Sequence, residues 1–418
     1  MSPQPQLPKP RGRRTETGLG PNPTVTTVVP VKDGADELRR CLTALRASTV
    51  DPELHELLVV DDGSSDDSSA VAREFGATVL RFEQNRGPAF ARNRGAELAR
   101  GQILFFCDAD VEVHPDTIER ARACFVRDQD LAAVIGSYDE APGSPHFIAQ
   151  FKNLFHHWVH QHGSEDASTF WTGCGAVRRD TFLAHGGFDE TFARPSIEDI
   201  ELGFRLRADG QKIRLEKEMQ AKHLKRWRLF DLLRTDIFLR GAPWVALMLR
   251  DRHLSADLNL STGSKLATLL TGVLGITLVG LPVTGHAMAL LPFATLIVLA
   301  TLAARVTSIF GSRRTPVAAD LAFATFAIAT LSASFWFAGD AFALIPFALL
   351  SATMSTHVSL HADFLRQRGF TFILAAGPMQ LLYQMCCALS VPVGFLAHLR
   401  SESRDAQSSR SQTEEARA

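Results

Sequence analysis

The feature that most constrains this chain is a gap in its charge. From Leu266 to Ala304 there is no Asp, Glu, Lys or Arg. A membrane-spanning helix needs about 20 apolar residues, so this run accommodates two. Candidate spans follow at residues 266–284, 287–304, 317–338, 341–358 and 371–397, a transmembrane region over 263–397. Gly285-His286 and Gly339-Asp340 mark turns that fold the first four into two helical hairpins. The fifth has two readings. It contains Pro378, Gln380, Gln384 and Pro392, and it either spans or is re-entrant or interfacial. Arg305, Arg313 and Arg314 lie between the hairpins, and Arg366 and Arg368 follow the second. Cationic loops stay cytosolic. A fifth crossing would send Arg400, Arg404 and Arg410 outside, against that rule. The expected localisation is the cell inner (cytoplasmic) membrane, multi-pass, with everything before the spans in the cytosol.

Ahead of the spans, residues 226–262 interleave Arg with Trp227, Phe230, Leu232, Phe238, Trp244 and Leu247, a pattern that suits amphipathic helices lying in the membrane interface. Residues 1–23 are rich in Pro and Gly, carry Lys9, Arg11, Arg13 and Arg14, and lack the apolar core of a signal peptide. They read as a disordered tail, as do residues 398–418. Lys+Arg is 44 and Asp+Glu 45 over 418 residues, so there is no basic excess of the kind nucleic-acid binders carry. None of the six cysteines forms a Cys-x-x-Cys pair, and reduced core thiols suit a cytosolic domain.

Residues 24–225 form a domain of another kind. Apolar strand patterns at 24–29, 57–60, 78–82, 103–107 and 131–137 alternate with helical ones, which predicts an α/β fold with a mostly parallel sheet. In such sheets ligands bind beyond the carboxyl ends of the strands. Two acidic clusters fall there: Asp61-Asp62-Gly63-Ser64 after the second strand, and Asp108-Ala109-Asp110 after ILFFC. Residues 147–162 read as an amphipathic helix, residues 170–222 as loop-rich, with a helix from about Ser196 to Ala208.

Asp108 and Asp110 suit a hard divalent cation that binds a diphosphate, or are solvated acids of a turn. Asp61-Asp62 is ordinary turn chemistry or an acceptor for a nucleotide's base N–H or ribose hydroxyl. Glu198-Asp199 complements a helix dipole, or Asp199 takes a proton as general base. His223 is a satisfied histidine or completes a metal shell. His156 and His160 share a helix face, but no Glu accompanies them in the H-E-x-x-H pattern. There is no G-x-x-x-x-G-K-[ST], no G-x-G-x-x-G after the first strand and no G-x-S-x-G.

The order of the motifs is more specific than any one of them. VVPVKDG, VVDDGSSD, NRGPAFARNRGAELARG, ILFFCDADV, WTGCGAVRRDTFLAHGGFDETF and SIEDIELGFRLRADG follow one another, and the series resembles family 2 glycosyltransferases over about residues 24–250. HLKRW, a basic aromatic segment and C-terminal spans resemble the membrane-bound bacterial members. The resemblance implies a GT-A fold, a Rossmann-like nucleotide-diphospho-sugar transferase domain, followed by the helical transmembrane region. It implies inverting transfer with a divalent metal, Mn2+ or Mg2+. Carried over by motif, Pro30, Asp33, Asp61, Asp62, Arg92, Asn93 and Asp108 meet the nucleotide-sugar. Asp108, Asp110 and His223 hold the metal, and Asp199 is the catalytic base. Asp33 replaces the family's usual Asn, and Gly34 stands where an acid often follows.

The expected activity is transfer of a sugar from a UDP- or GDP-linked donor to a hydroxyl of a lipid or lipid-linked glycan in cell-envelope synthesis. Two alternatives stand beside it. A processive polysaccharide synthase would carry Gln-x-x-Arg-Trp, whereas this chain has His223-Leu224-Lys225-Arg226-Trp227. A non-catalytic nucleotide-binding membrane protein would have no need of all three acidic motifs.

Overall fold

The computed structural model describes residues 24–251, 262–311 and 313–415. The expected N-terminal tail lies outside the described residues, as does the end of the expected interfacial segment. The chain forms two compact units. One comprises the residues through Asp139 together with His160–Leu224; the other comprises Glu140–Val159 and the chain from Lys225.

The first unit is built on an eight-stranded sheet. Its strands are β1 (Val25–Val31), β2 (His55–Asp62), β3 (Thr78–Phe82), β4 (Ile103–Cys107), β5 (Val111–Val113), β6 (Leu131–Tyr138), β7 (Cys174–Arg178) and β8 (Lys212–His223), ordered β3-β2-β1-β4-β7-β6-β8-β5. The helices up to residue 208 are α1 (Ala35–Arg46), α2 (Ser68–Glu74), α3 (Pro88–Leu98), α4 (Thr117–Arg127), α5 (Phe147–His162), α6 (Arg179–Ala184) and α7 (Glu198–Ala208).

β1 pairs in parallel with β2 and β4, and β2 with β3. β1, β2 and β4 are largely apolar and buried because helices cover both faces of a parallel sheet, whereas the edge strand β3 is partly exposed. Val28, Val29, Val59, Val60, Phe105 and Phe106 are fully buried. The register pairs Val31 with Asp61, so the loops after β1 and β2 leave the sheet at one level. The other half is mixed. β7 runs antiparallel to β4 and β6, and β5 antiparallel to β8.

Within residues 170–222 the helix expected from about Ser196 to Ala208 is present as α7, but the rest is less loop-rich than expected, since it also contains β7, α6 and most of β8. β8 hides from a period-two reading because only four of its buried-face positions are apolar: Ile213, Leu215, Met219 and Ala221 share one parity and are buried, but the charged Lys217 stands in the middle of that series and Glu and Lys residues surround it.

The second unit is helical. Beyond residues 147–159 of α5 it contains α8 (Leu229–Arg234), a π-helical turn Thr235–Gly241, α9 (Ala242–Asp251), α10 (Thr262–Val283), α11 (Leu291–Phe310), α12 (Val317–Ala338), α13 (Leu344–Ser355), α14 (Val358–Arg368) and α15 (Phe370–Glu415). Most of α5 belongs here rather than to the α/β domain. Its Phe147, Phe151, Leu154 and Phe155 pack in one cluster with Leu360, Phe364, Phe372 and Ala376.

Among the described residues, four helices are long and apolar enough to cross a membrane: Gly263–Val283, Ala287–Phe310, Val317–Ala338 and Phe370–Arg400. The expected apolar segment 341–358 contains the helical stretch Ala341–Ser355, after which the chain bends by 84° into α14. The bend follows the polar step Thr356-His357, beyond which α14 carries Asp363, Arg366 and Arg368. α15 continues through 398–415, where the sequence suggested a tail.

Candidate active site

The site builds up at the carboxyl end of the parallel strands. Pro30 is the penultimate residue of β1, partly buried and paired with Val60. Asp33, in the loop that follows, adopts a left-handed conformation with φ of 51°. Its Oδ1 accepts from the Ser65 N–H at 2.7 Å and the Ser65 hydroxyl at 2.9 Å, and its own N–H donates to Ser64 Oγ at 3.0 Å. An ion pair with Lys32 and these bonds hold its carboxyl well below the usual range. Asp33 thus ties the β1 loop to the β2 loop.

Asp61 is fully buried and accepts from the Ser64 N–H at 2.7 Å and from the Ser69 hydroxyl. Asp62 is also buried and accepts from the backbone N–H groups of Arg86 at 2.9 Å and Gly87 at 2.7 Å. Those amides immediately precede α3, so Asp62 fixes where that helix begins. Asp61 closes the β2 turn.

Arg92, one turn into α3, is 6 % exposed in its side chain. Nη2 donates to Asp108 Oδ1 at 2.6 Å, and Nη1 to Glu198 Oε1 at 2.9 Å. Burial works against the guanidinium's charge, but Asp108 and Glu198 prevail and hold its pKa above the ordinary value. The neighbouring Asn93 uses both ends of its amide on backbone: Nδ2 donates to Phe188 O at 2.9 Å, and Oδ1 accepts from Phe188 N–H at 2.8 Å. In this arrangement Asn93 anchors the loop before α7.

Asp199 opens α7 and is partly buried. Oδ2 accepts from the Thr172 N–H at 3.1 Å and hydroxyl at 3.3 Å, and Oδ1 from the Ile200 N–H at 2.9 Å. Burial, and then repulsion from Glu198, push its pKa up to about 6 against the pull of Thr172 and Arg92. A carboxylate titrating there is ionised at neutral pH yet basic enough to accept a proton.

The turn after β4 sends its two acids to different partners. Asp108 turns to Arg92. Asp110 lies 3.6 Å from His223 Nε2, and its carbonyl accepts from the Leu224 N–H at 2.8 Å. Val111 pairs with His223 across β5 and β8, which brings that histidine, 113 positions on from Asp110 in the sequence, to the site. The His223 ring stacks on Tyr138 with centroids 4.6 Å apart, and Tyr138 meets the edge of Trp171 at 4.7 Å. Among the described residues no three His, Cys, Asp or Glu side chains converge as a metal cage. Two carboxylates and an imidazole fit a hard cation only where a bound diphosphate supplies further oxygens.

Sequence reasoning missed the roles of Thr172, Tyr138 and Trp171, and gave Glu198 none of its own. WTGCG held Trp171 and Thr172 in plain view, but nothing local marks them as partners of Asp199 and Tyr138.

Residues 26–184 match the model of Glycosyl transferase family 2. The chain carries a glycosyl transferase family 2 domain. The match takes in Asp33, Asp62, Arg92, Asp108, Asp110 and Thr172 and stops before α7. The chain is 35 % identical over 103 residues to Glycosyltransferase AglE of Haloferax volcanii, covering 23 % of this chain and 34 % of that protein. The Pre-mycofactocin glycosyltransferase of Mycobacterium tuberculosis is 28 % identical over 260 residues, 60 % of this chain and 53 % of that protein. The chain thus spans between a third and about half of the length of these curated relatives. The mannosyltransferase PcManGT from Pyrobaculum calidifontis, solved with GDP-Man and Mn2+, aligns with a TM-score of 0.43 and 16 % identity over 88 % of this chain and 90 % of that one.

Proposed function

We propose that this protein is a membrane-integral inverting glycosyltransferase of the hexosyltransferase type (EC 2.4). It moves a sugar from a UDP- or GDP-linked donor to a hydroxyl of a lipid or lipid-linked glycan, in the cell envelope, with its α/β domain in the cytosol. The observation that carries the reading is Asp199. A carboxyl with its pKa near 6, joined through Glu198 and Arg92 to Asp108, supports reading Asp199 as the base and Asp108 as the acid on the diphosphate side.

Asp199 takes the proton of the acceptor hydroxyl as that oxygen attacks the anomeric carbon. The attack comes from the face opposite the departing nucleoside diphosphate, so configuration inverts and no covalent enzyme intermediate forms. Pro30, Asp33, Asp61, Asp62, Arg92 and Asn93 shape the nucleotide side, directly or through the loops they hold. Asp108, Asp110 and His223 would hold a divalent cation, Mn2+ or Mg2+, together with the diphosphate. When bound, that cation neutralises charge developing on the leaving group. The apolar helices of the second unit support the lipid character of the acceptor, since they would keep the chain beside lipid-anchored substrates.

The test uses membranes from cells producing the protein, incubated with radiolabelled UDP- and GDP-sugars and Mn2+. Label is expected in the organic phase with one donor and lost in Asp110→Ala. Label confined to polymer would favour processive synthesis, and no transfer from any donor would overturn the assignment.

A further inference from the structure

α15 meets the length and apolarity of a membrane span over Phe370–Arg400, but its neighbours contradict a crossing. Trp227 and Leu232 pack in one cluster with Phe372, Ala375, Ala376 and Met379. Next along α15, Tyr383 lies under the Lys152 ammonium at 5.0 Å, and Lys152 is paired with Asp236 at 2.8 Å. Farther on, Ser390 Oγ donates to Ile237 O at 3.4 Å. Finally a Cβ on Gly394 would come within 2.5 Å of Ala242 O and 2.6 Å of Val245 Cβ, so only glycine admits that approach. The contacts advance in step. The segment from Trp227 to Val245 runs beside α15 in the same direction for about 27 Å, at 1.5 Å per residue.

That segment cannot cross hydrocarbon. From Arg228 to Asp251 it carries Arg228, Asp231, Arg234, Asp236, Arg240, Arg250 and Asp251, and each charge at the bilayer centre opposes insertion. Its outer face exposes Phe230 (76 %) and Phe238 (57 %) beside exposed Arg226, Arg228 and Arg234, as an in-plane amphipathic segment does. If it did cross, α10 would begin outside, and Arg305, Arg313 and Arg314 would end there too, against the cationic-loop rule.

The ends of the other helices agree. The start of α15 is capped by Asp320 in the first turn of α12, and Gly377 faces Met354 in the last turns of α13. Gln384 accepts from Thr268 in the second turn of α10 at 2.9 Å. α15 reaches the mid-span cluster of Leu274, Leu296 and Leu350 through Leu381. The tip cluster of Leu281, Ala289 and Ala343, joined by Leu290 and Phe335, contains none of its residues. At that far tip His286 Nδ1 and Asp340 Oδ2 are 3.0 Å apart.

We propose that α15 does not cross the bilayer but lies in the cytosolic leaflet with α8 and α9, leaving α10, α11, α12 and the shorter apolar stretch Ala341–Ser355, which ends in α13 and bends into α14, as the crossings and the C-terminus on the cytosolic side. This rests on the reading that those four helices lie in a membrane.

The test needs no enzymatic activity. Full-length chains carry one epitope each, after Gly285, after Arg314 or after Ala418, and spheroplasts are probed with antibody before and after permeabilisation. Arg366→Cys, at an exposed position, is treated with a membrane-impermeant maleimide. The expected result is that the Gly285 epitope is reached in intact spheroplasts. The Arg314 epitope, the Ala418 epitope and Cys at 366 are reached only after permeabilisation. An Ala418 epitope on the Gly285 side overturns the proposal, and so does a residue 366 on that side. If the Gly285 epitope stays hidden and the protein is missing from the membrane fraction, the membrane reading itself falls and takes this proposal with it.

Discussion

Arg92 and Glu198 lie 106 residues apart in sequence, yet Arg92 Nη1 donates to Glu198 Oε1 at 2.9 Å with both side chains about 5 % exposed. The same guanidinium bonds Asp108 at 2.6 Å. One buried cation therefore holds together the end of β4 and the start of α7. Removing it strands two acids beside Asp199. Arg92→Ala should lower stability by about 3–5 kcal/mol, the range for breaking a buried ion pair. Arg92→Lys should recover only part, because an ammonium cannot present two parallel N–H groups to two carboxylates. Thermal unfolding of the detergent-solubilised protein reads both. A Lys variant as stable and active as wild type would show that the forked geometry is dispensable.

Asp199 has a second signature, in stability. Its folded-state pKa of about 6 lies above the ordinary carboxylate value of about 4. As pH rises, the unfolded chain releases this proton first, so the folded state loses stability across that window. Asp199→Asn removes the loss. The variant should melt higher than wild type at pH 7.5 and approach it near pH 4.5, while turnover falls by about 10²–10⁴. Wild-type turnover should rise with pH through about 6 as the base ionises. Wild-type activity in Asp199→Asn would remove it from the reaction.

Much of this was legible before the fold was known, for identifiable reasons. β1, β2 and β4 are buried on both faces, so each is an apolar run, and each run stops at or just before an acid that the motif order makes recognisable. β8 was not legible because the charged Lys217 interrupts its buried face and the residues around it are Glu and Lys. Arg92's partners were not, because Asp108 is 16 residues away and Glu198 106, and no local period links them. The pairing of Asp110 with His223 depends on strand register rather than spacing. α5 looked like part of the α/β domain because chain order is visible in a sequence and packing is not. Its phenylalanines are apolar in either setting.

Thr172 donates to Asp199 through both its amide and its hydroxyl. These bonds favour the charged carboxylate, so losing one should raise the pH at which Asp199 ionises. Thr172→Val should shift the acidic limb of the turnover profile to higher pH, and Thr172→Ser should restore it. A limb that stays in place in Thr172→Val would mean the hydroxyl leaves the base untouched, whatever happens to the overall rate.

The carboxylate of Asp320 accepts from the N–H groups of Phe370 and Thr371, each at 2.9 Å, and from the Thr371 hydroxyl at 2.7 Å. It caps the start of α15 from another helix. Asp320→Ala should cost about 2 kcal/mol, the upper range for loss of a helix cap. Gly369→Ala should be at least as damaging. Gly369 has φ of 93°, and a Cβ there would run into the Asp320 carboxylate. Melting temperature in detergent is the measurement, and two unaffected variants would leave α15 held by its apolar packing alone.

Lys152 and Asp236 form a second buried ion pair, at 2.8 Å with side chains 4 % and 6 % exposed. Burial makes such a pair costly to break and easier to replace. Lys152→Met leaves an uncompensated carboxylate and Asp236→Leu an uncompensated ammonium, so each single change should destabilise by about 3–5 kcal/mol. The double variant Lys152→Met, Asp236→Leu removes both charges and keeps apolar volume, so it should be more stable than either single one. That non-additivity, read from melting temperatures of the four proteins, separates a desolvated pair from a screened surface contact. Additive losses would mean water reaches both groups, and the pair then contributes no more than an exposed salt bridge.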